Sequence, residues 1–180
     1  MIFLTTSRRP TPRLRTLCRD LSDSIPGVKR VNRGKMSFTG LIEKAVELDA
    51  KKVLIVDRGQ DGCGKLRFLK IEDKRAKAIL SMHIKGFKLR REFKKPARTV
   101  RRVCIDRKGD LGSDTERLKE FLSDFFNLPM EDLKETFKKY DAFIRLSIQL
   151  SNLVKFSFYS IPDGSEIGPR LTILKVAWNI

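Results

Sequence analysis

The chain has 180 residues, 41% of them hydrophobic and twelve of them Phe, which is enough apolar material for a packed interior and excludes a chain disordered throughout. Thirty-nine Lys and Arg against 22 Asp and Glu leave a net charge of +17, so the folded molecule repels itself unless a large anionic partner neutralises it. Three scattered cysteines, Cys18, Cys63 and Cys104, exclude a disulfide framework, and no stretch approaches the ~20 apolar residues of a membrane span, which points to a soluble protein of the cytoplasm.

Ile2 to Thr5 is a short β-like run. Thr11-Pro12 then reads as an N-cap with proline at the first helical position, opening a helix to about Ser24. Leu14, Leu17, Leu21 and Ile25 recur at spacings of three and four and form one buried stripe, which Pro26-Gly27 ends. Val28 to Val31 is a second short strand, and Ser37 caps a helix that turns Leu41, Ile42, Ala45, Val46 and Leu48 inward. Lys52 to Asp57 follows as a strand whose continuous Val53-Leu54-Ile55-Val56 fits a central position covered on both faces. Leu66 to Ile71 alternates as a strand, and Lys77 to Phe93 adds one or two more.

Lys94-Lys95-Pro96-Ala97-Arg98 has the charge and proline of a linker, and after it the pattern restarts. Val103 to Asp106 is a strand, and Ser113 or Asp114 caps a helix carrying Arg117-Leu118, Phe121, Leu122, Phe125 and Phe126, which aligns with Arg13-Leu14 and the apolar residues after them. Leu128-Pro129 ends that helix, Met130 to Tyr140 offers another, and strands around Ala142 to Gln149, Val154 to Ile161 and Leu171 to Ala177 close the chain. The expectation is an α/β fold of two similar halves, about 1–94 and 99–180, in a single 1–180 domain.

Gly59-Gln60-Asp61-Gly62-Cys63-Gly64-Lys65 satisfies the spacing of a phosphate-binding loop. Leu66 stands where such a loop needs the hydroxyl that holds magnesium, and a strand rather than a helix follows, so the segment reads as a hairpin loop. His83 is the one histidine, so any Cys–His pair has to use it; each cysteine reads as a small buried residue and His83 as structural. Asp110, Asp114, Glu116, Glu120, Asp124, Glu131, Asp132 and Glu135 form a solvated acidic face in which no spacing singles out a metal-holding pair. No cofactor, metal or small-molecule substrate is expected.

The positive signals are basic loops. Thr6, Ser7, Arg8, Arg9, Arg13 and Arg15 converge where a strand hands over to a helix N-terminus, a place that favours an anion. Lys29, Arg30, Arg33 and Lys35 form a second group, and Lys85, Lys88, Arg90, Arg91, Lys94, Lys95, Arg98, Arg101 and Arg102 a third. Phe87 and Phe93, interleaved with the third, read as core in an alternating strand or as stacking platforms for unpaired bases. The basic residues lie in loops and strands rather than on one amphipathic helix, so the anionic partner is nucleic acid and not a membrane.

Three blocks carry a family resemblance: Leu4-Thr5-Thr6-Ser7-Arg8-Arg9-Pro10 with its helix, Ile25-Pro26-Gly27 leading to Asn32-Arg33-Gly34, and Ser165-Glu166-Ile167-Gly168-Pro169-Arg170 before the final strand. With these the chain resembles the Brix-domain family, in particular its archaeal relatives of the small-subunit processome component. The resemblance implies a duplicated α/β fold whose halves are similar to the anticodon-binding domains of class II aminoacyl-tRNA synthetases. It also implies binding without catalysis in ribosomal RNA processing and subunit assembly, with pre-ribosomal RNA and other ribosome assembly proteins as partners. The Gly-Pro-Thr segment common in the middle of family members is missing from Ser81 to Phe87. Gly168-Pro169-Arg170 reads as a rigid turn into the last strand, with Arg170 either recognising RNA or pairing with Glu166 or Asp163. Two rival functions remain on the sequence alone: a metal-dependent RNA-processing nuclease and a basic protein–protein adaptor.

Overall fold

The computed structural model describes residues 1–59, 62–95, 100–108, 112–136, 138–161 and 163–179. Gln60 and Asp61 of the glycine-rich segment, Pro96 to Arg98 of the proposed linker, Asp110 and the side chain of Glu135 lie outside the described residues. In chain order the elements are β1 (Ile2–Thr6), α1 (Pro12–Ser24), β2 (Val28–Arg30), α2 (Phe38–Glu47), β3 (Lys52–Asp57), β4 (Lys65–Glu72) and β5 (Arg75–Lys88). A 3-10 turn, Arg90–Glu92, follows, and then β6 (Val103–Asp106), α3 (Ser113–Phe126), β7 (Met130–Glu131), α4 (Leu133–Thr136), β8 (Ala142–Ile148), β9 (Val154–Ser160) and β10 (Glu166–Trp178).

Local sequence explains the start and end of α1: the Thr11 side chain accepts the Leu14 amide, Pro12 opens the first turn, and Ile25 adopts extended backbone. Ser37 caps α2 in the same way, through the Gly40 amide. The second half departs from expectation at three places. Gly112, with φ of 80°, precedes α3 in place of a Ser113 or Asp114 cap. Of the helix expected over Met130 to Tyr140, only Leu133–Thr136 is helical among the described residues, because Met130 and Glu131 pair instead with β6. The last strand begins at Glu166 rather than near Leu171, so Gly168-Pro169-Arg170 lies inside β10, where a register shift between Glu166 and Arg170 lets the irregular backbone remain in the sheet.

The ten strands order as β2-β1-β3-β4-β5-β10-β9-β8-β6-β7 in one mixed sheet. β1 runs parallel to β2 and β3, β6 runs parallel to β7 and β8, and every other pairing is antiparallel. The second five strands thus repeat the order of the first five, and the two sets meet where Ile84 of β5 pairs with Ile173 of β10. Side-chain details give the register of that correspondence. With Leu4 matched to Ile105, the hydroxyls of Ser22 and Ser123, which bond the carbonyls of Val28 and Leu128, fall at one position. Leu17 then corresponds to Leu118, one helical turn away from the Arg13-Leu14 to Arg117-Leu118 alignment that the sequence suggests.

One apolar cluster spans both halves, holding Leu14, Leu17 and Leu21 of α1, Leu118, Leu122 and Phe125 of α3, and the strand residues facing them. Phe68 of β4 meets Phe121, Phe125 and Phe126 of α3 edge-on at centroid distances of 5.3, 4.9 and 6.2 Å. The opposite face of the first five strands is covered by α2, through Leu41, Ile42 and Ala45 on Phe3, Val53 and Ile55. Both faces of β3 are therefore covered, as its unbroken apolar run requires. On the same face of the second half a smaller cluster holds Cys104, Leu133 and Phe143, consistent with the shorter α4.

Candidate nucleic-acid interface

In each half the crossover helices leave the carboxyl ends of the parallel strands, the place where open α/β sheets present ligand sites. In the first half these ends are Thr6 of β1, Arg30 of β2 and Asp57 of β3, tied together by Ser7 N–H to the Val56 carbonyl (2.9 Å), Val31 N–H to the Leu4 carbonyl (2.8 Å) and the Thr5 hydroxyl to the Val31 carbonyl (2.7 Å). Two adjoining clefts open there. One, of about 460 Å³, is lined by Thr6, Ser7, Arg8, Pro10, Arg15, Cys18, Arg30, Val31, Asn32, Arg33 and Gly34. The other shares Ser7, Arg8 and Gly34 with it and adds Arg9, Lys35, Asp57 and Arg58.

Eight of the sequence-selected residues meet at these clefts: Thr6, Ser7, Arg8, Arg9, Arg15, Arg30, Arg33 and Lys35. Arg33 is the most enclosed of them, with 9% of its surface exposed. Its Nε donates to the Met36 carbonyl at 3.3 Å, and no carboxylate lies within ion-pair distance of it among the described residues. Burial lowers its pKa and the like charges of Arg67 and Arg8 lower it further, against the opposing pull of Asp57. Arg30 donates to the Asn32 side chain (2.9 Å) and Arg8 to the Lys35 carbonyl (3.1 Å), which hold both cations in the loops around the mouth. Burial pushes the Cys18 thiol up to about 12 against the opposing charge of Arg30, so a neutral thiol lies against the cleft.

The other four selected residues lie elsewhere. Arg13 bridges to Glu92 at 3.1 Å and stacks on Phe87 at 5.2 Å, so a carboxylate of the protein's own answers the cation in the first turn of α1. The Glu92 pKa is lowered first by the Leu89 amide and then by Arg13. Arg90 pairs with Asp23 at 3.8 Å, while its amide donates to the buried Asp20 carboxylate at 2.9 Å. Arg91 stands exposed on the same 3-10 turn. Arg170 donates from Nε to Glu166 at 2.6 Å and from Nη2 to the other carboxylate oxygen, and it lies over the Phe93 ring at 5.5 Å. Asp163, the alternative partner for Arg170, pairs with Lys95.

Phe87 packs against the main cluster, and Phe93 is covered by Lys88 and Arg170. Sequence reasoning passed over Arg58, which the rule that found the other residues also reaches, since it directly follows β3. Cys63 corrects the expectation of buried cysteines: it is exposed in the loop between β3 and β4 and lines a cleft with His83. The glycine-rich segment leads straight into β4, as its alternation requires, and no helix follows. Among the described residues no group of three or more His, Cys, Asp or Glu is gathered to hold a metal, and no helix is long and apolar enough to cross a membrane.

The corresponding place in the second half is built differently. Lys119, which holds the position of Cys18, is fully buried, and its ammonium donates to the carbonyls of Arg107 (3.4 Å) and Lys108 (3.2 Å) and to Glu116 (2.8 Å). Glu116 holds the position of Arg15. A fixed internal cation and a carboxylate thus stand where the first half has a thiol, an open cleft and a ring of arginines.

The class defined by these features is a mixed α/β protein with a large, mostly antiparallel sheet and a cationic cleft at the strand ends of its first half. No family model matches the chain. It is 30% identical over 181 residues to the "Probable Brix domain-containing ribosomal biogenesis protein" of Methanococcus maripaludis, covering 97% of this chain and 96% of that one. It is 26% identical over 183 residues to the protein of the same name from Pyrobaculum aerophilum, covering 97% and 92%. A 38% identical match to the namesake from Aeropyrum pernix runs over 90 residues, about half of each chain. A crystal structure of a probable ribosomal biogenesis protein from Aeropyrum pernix superposes with a TM-score of 0.76 at 25% identity, over 97% of this chain and 95% of that one. The chain belongs to the family of Brix domain-containing ribosomal biogenesis proteins.

Proposed function

We propose that this protein is an RNA-binding ribosome assembly factor that holds pre-ribosomal RNA through the basic loops at the ends of β1, β2 and β3. It acts in ribosomal RNA processing and subunit biogenesis, catalyses no reaction, and meets other assembly proteins in the cytoplasm. The observation that carries this reading is the gathering of Arg8, Arg9, Arg15, Arg30, Arg33, Lys35 and Arg58 around two adjoining clefts whose one carboxylate among the described residues, Asp57, is paired with Arg67. Such an array neutralises successive phosphates and releases their counterions. The matching strand orders and the Ser22–Ser123 correspondence support an origin of the two halves by duplication, each related to an anticodon-binding domain.

The test is binding of pre-ribosomal RNA fragments across salt concentrations. Contact by about six cations lowers affinity by roughly a thousandfold between 50 and 200 mM salt, and replacing Arg8, Arg9 and Lys35 together with Ala flattens that slope. Binding indifferent to salt and to these changes points instead to a protein–protein adaptor. Cleavage of the RNA that stops on adding a chelator points to a nuclease.

A further inference from the structure

The first-half cleft shows two features that long-range attraction to RNA does not need. Its lining includes Arg33, a residue with 9% of its surface exposed, whose Nη groups have no protein hydrogen-bond partner among the described residues. The carboxylate that acts on Arg33, Asp57, is paired with Arg67, so this enclosed cation is only partly answered, and the Arg67 Nε, buried and unpaired, adds a further unsatisfied donor. The second feature comes from the internal comparison. Where the described residues of the second half place the Lys119 ammonium, fixed by the carbonyls of Arg107 and Lys108 and by Glu116, the first half has Cys18 and Arg15 beside an open cleft. The second-half place holds its counter-charge, Glu116, directly on the ammonium, whereas among the described residues no carboxylate lies within ion-pair distance of Arg33 and Asp57 acts on it from further off.

We infer that this cleft is a nucleotide pocket: it takes one unpaired nucleotide of the bound RNA, with the phosphate on the guanidinium of Arg33. The inference rests on the RNA-binding reading above and narrows it. The cleft, at about 460 Å³, is the size of a small-molecule pocket, and the second cleft adjoining it at Ser7, Arg8 and Gly34 leaves a cationic path for the rest of the strand. A phosphate in a regular duplex lies on a stiff convex surface, and its base is tied to a partner strand. Only a nucleotide freed from pairing, in a bulge or at a strand end, can turn its phosphate inward to an enclosed arginine. Pro10 and Val31 supply an apolar wall, while Ser7 and Asn32 provide groups able to hydrogen-bond a sugar or base edge.

The experiment compares three RNA probes with the same number of phosphates: a perfect duplex hairpin, a hairpin of equal length with one nucleotide left unpaired as a bulge, and a single strand with a terminal phosphate. Wild-type protein is expected to prefer the bulge or the strand end to the duplex by about tenfold, and the stronger of the two identifies the source of the nucleotide. Arg33→Lys keeps the charge but loses the planar fork, and is expected to remove that preference while changing duplex binding by less than about twofold. The double variant Cys18→Lys with Arg15→Glu rebuilds the second-half arrangement in the first half and is expected to do the same. Thermal unfolding of each variant confirms that it is folded, and Arg33→Lys provides the answer if the double variant is not. An equal affinity for all three probes, or a preference that survives in folded Arg33→Lys, overturns the pocket while salt-dependent RNA binding stands. Failure to bind any of the three RNAs overturns both.

Discussion

Arg170 grips Glu166, four residues earlier on the same strand, with Nε 2.6 Å from one carboxylate oxygen and Nη2 on the other. In a regular strand these side chains would be too far apart to meet; the register shift between them in β10 draws them together. Glu166 also accepts from the Ser157 hydroxyl (2.6 Å) and from Lys155 (3.3 Å). Burial on its own would raise the Glu166 pKa, but Arg170, Ser157 and Lys155 outweigh it and bring the value down to about 2.

The sign of the pH dependence follows from that depression. A carboxylate whose folded pKa lies below its unfolded one contributes stability that is fully present above the unfolded value of 4.5 and is lost as pH falls through about 2. Glu166→Gln is expected to destabilise the protein by about 2–4 kcal/mol at pH 7, since it strips a three-partner carboxylate from a half-buried network. Urea unfolding of wild type and variant at steps from pH 6 to pH 2 should show the two curves converging in that acid window. Parallel curves would mean that Glu166 has no special share in acid unfolding.

Gly168 cannot accept a side chain. A Cβ there would lie 2.3 Å from Cε2 and 2.7 Å from Cδ2 of Phe93, and the residue has φ of +66°. Gly168→Ala is expected to cost about 2–4 kcal/mol, from overpacking together with left-handed backbone. Adding Phe93→Ala should recover the steric part but not the backbone part, so the double variant falls short of the sum of the singles. Additive effects in denaturant unfolding would show that the ring moves aside freely.

Much of this architecture is legible in the residues. β3 follows from four consecutive apolar positions, and α1 from Thr11-Pro12 at one end and Pro26-Gly27 at the other, because each signal is local and chemically specific. The length of β10 is not legible, since Gly168-Pro169 is a turn signal in sequence and only pairing with neighbouring strands keeps the backbone in the sheet. The short α4 is hidden for a related reason: Met130 and Glu131 fit a helical pattern until β6 is available to pair with them. The basic loops around the clefts are visible as charge, but the burial of Arg33 depends on tertiary packing. The contrast between Cys18 and Lys119 depends on an alignment one helical turn away from the one that sequence similarity favours.

Arginines that the sequence groups together should separate by experiment. Arg13 is half exposed and paired with Glu92, so Arg13→Ala is expected to cost at most about 1 kcal/mol of stability and to leave the salt dependence of RNA binding unchanged. Arg9→Ala should do the reverse, with an unchanged melting temperature and a salt slope smaller by about 0.7–0.9. The two variants, measured side by side by thermal unfolding and by RNA titration at several salt concentrations, test the division. A reduced slope in Arg13→Ala would move that residue to the RNA-contacting side.

Phe68 belongs to the first half, yet three aromatic rings of α3 pack edge-on against it, each such contact adding about 0.5–1.5 kcal/mol beyond buried area. Phe121, one of those rings, also meets Trp178, the single tryptophan of the chain, edge-on at 5.5 Å. Trp178 fluorescence therefore reports on the second half through a ring that also touches the first. Phe68→Ala is expected to cost about 3–5 kcal/mol. If both halves share one cooperative core, the loss lowers the unfolding midpoint seen by Trp178 as far as the midpoint seen by far-ultraviolet circular dichroism. A fluorescence transition that stays at the wild-type midpoint while the dichroism shifts would mean that the halves unfold separately, with the aromatic contact as a surface between two independent units.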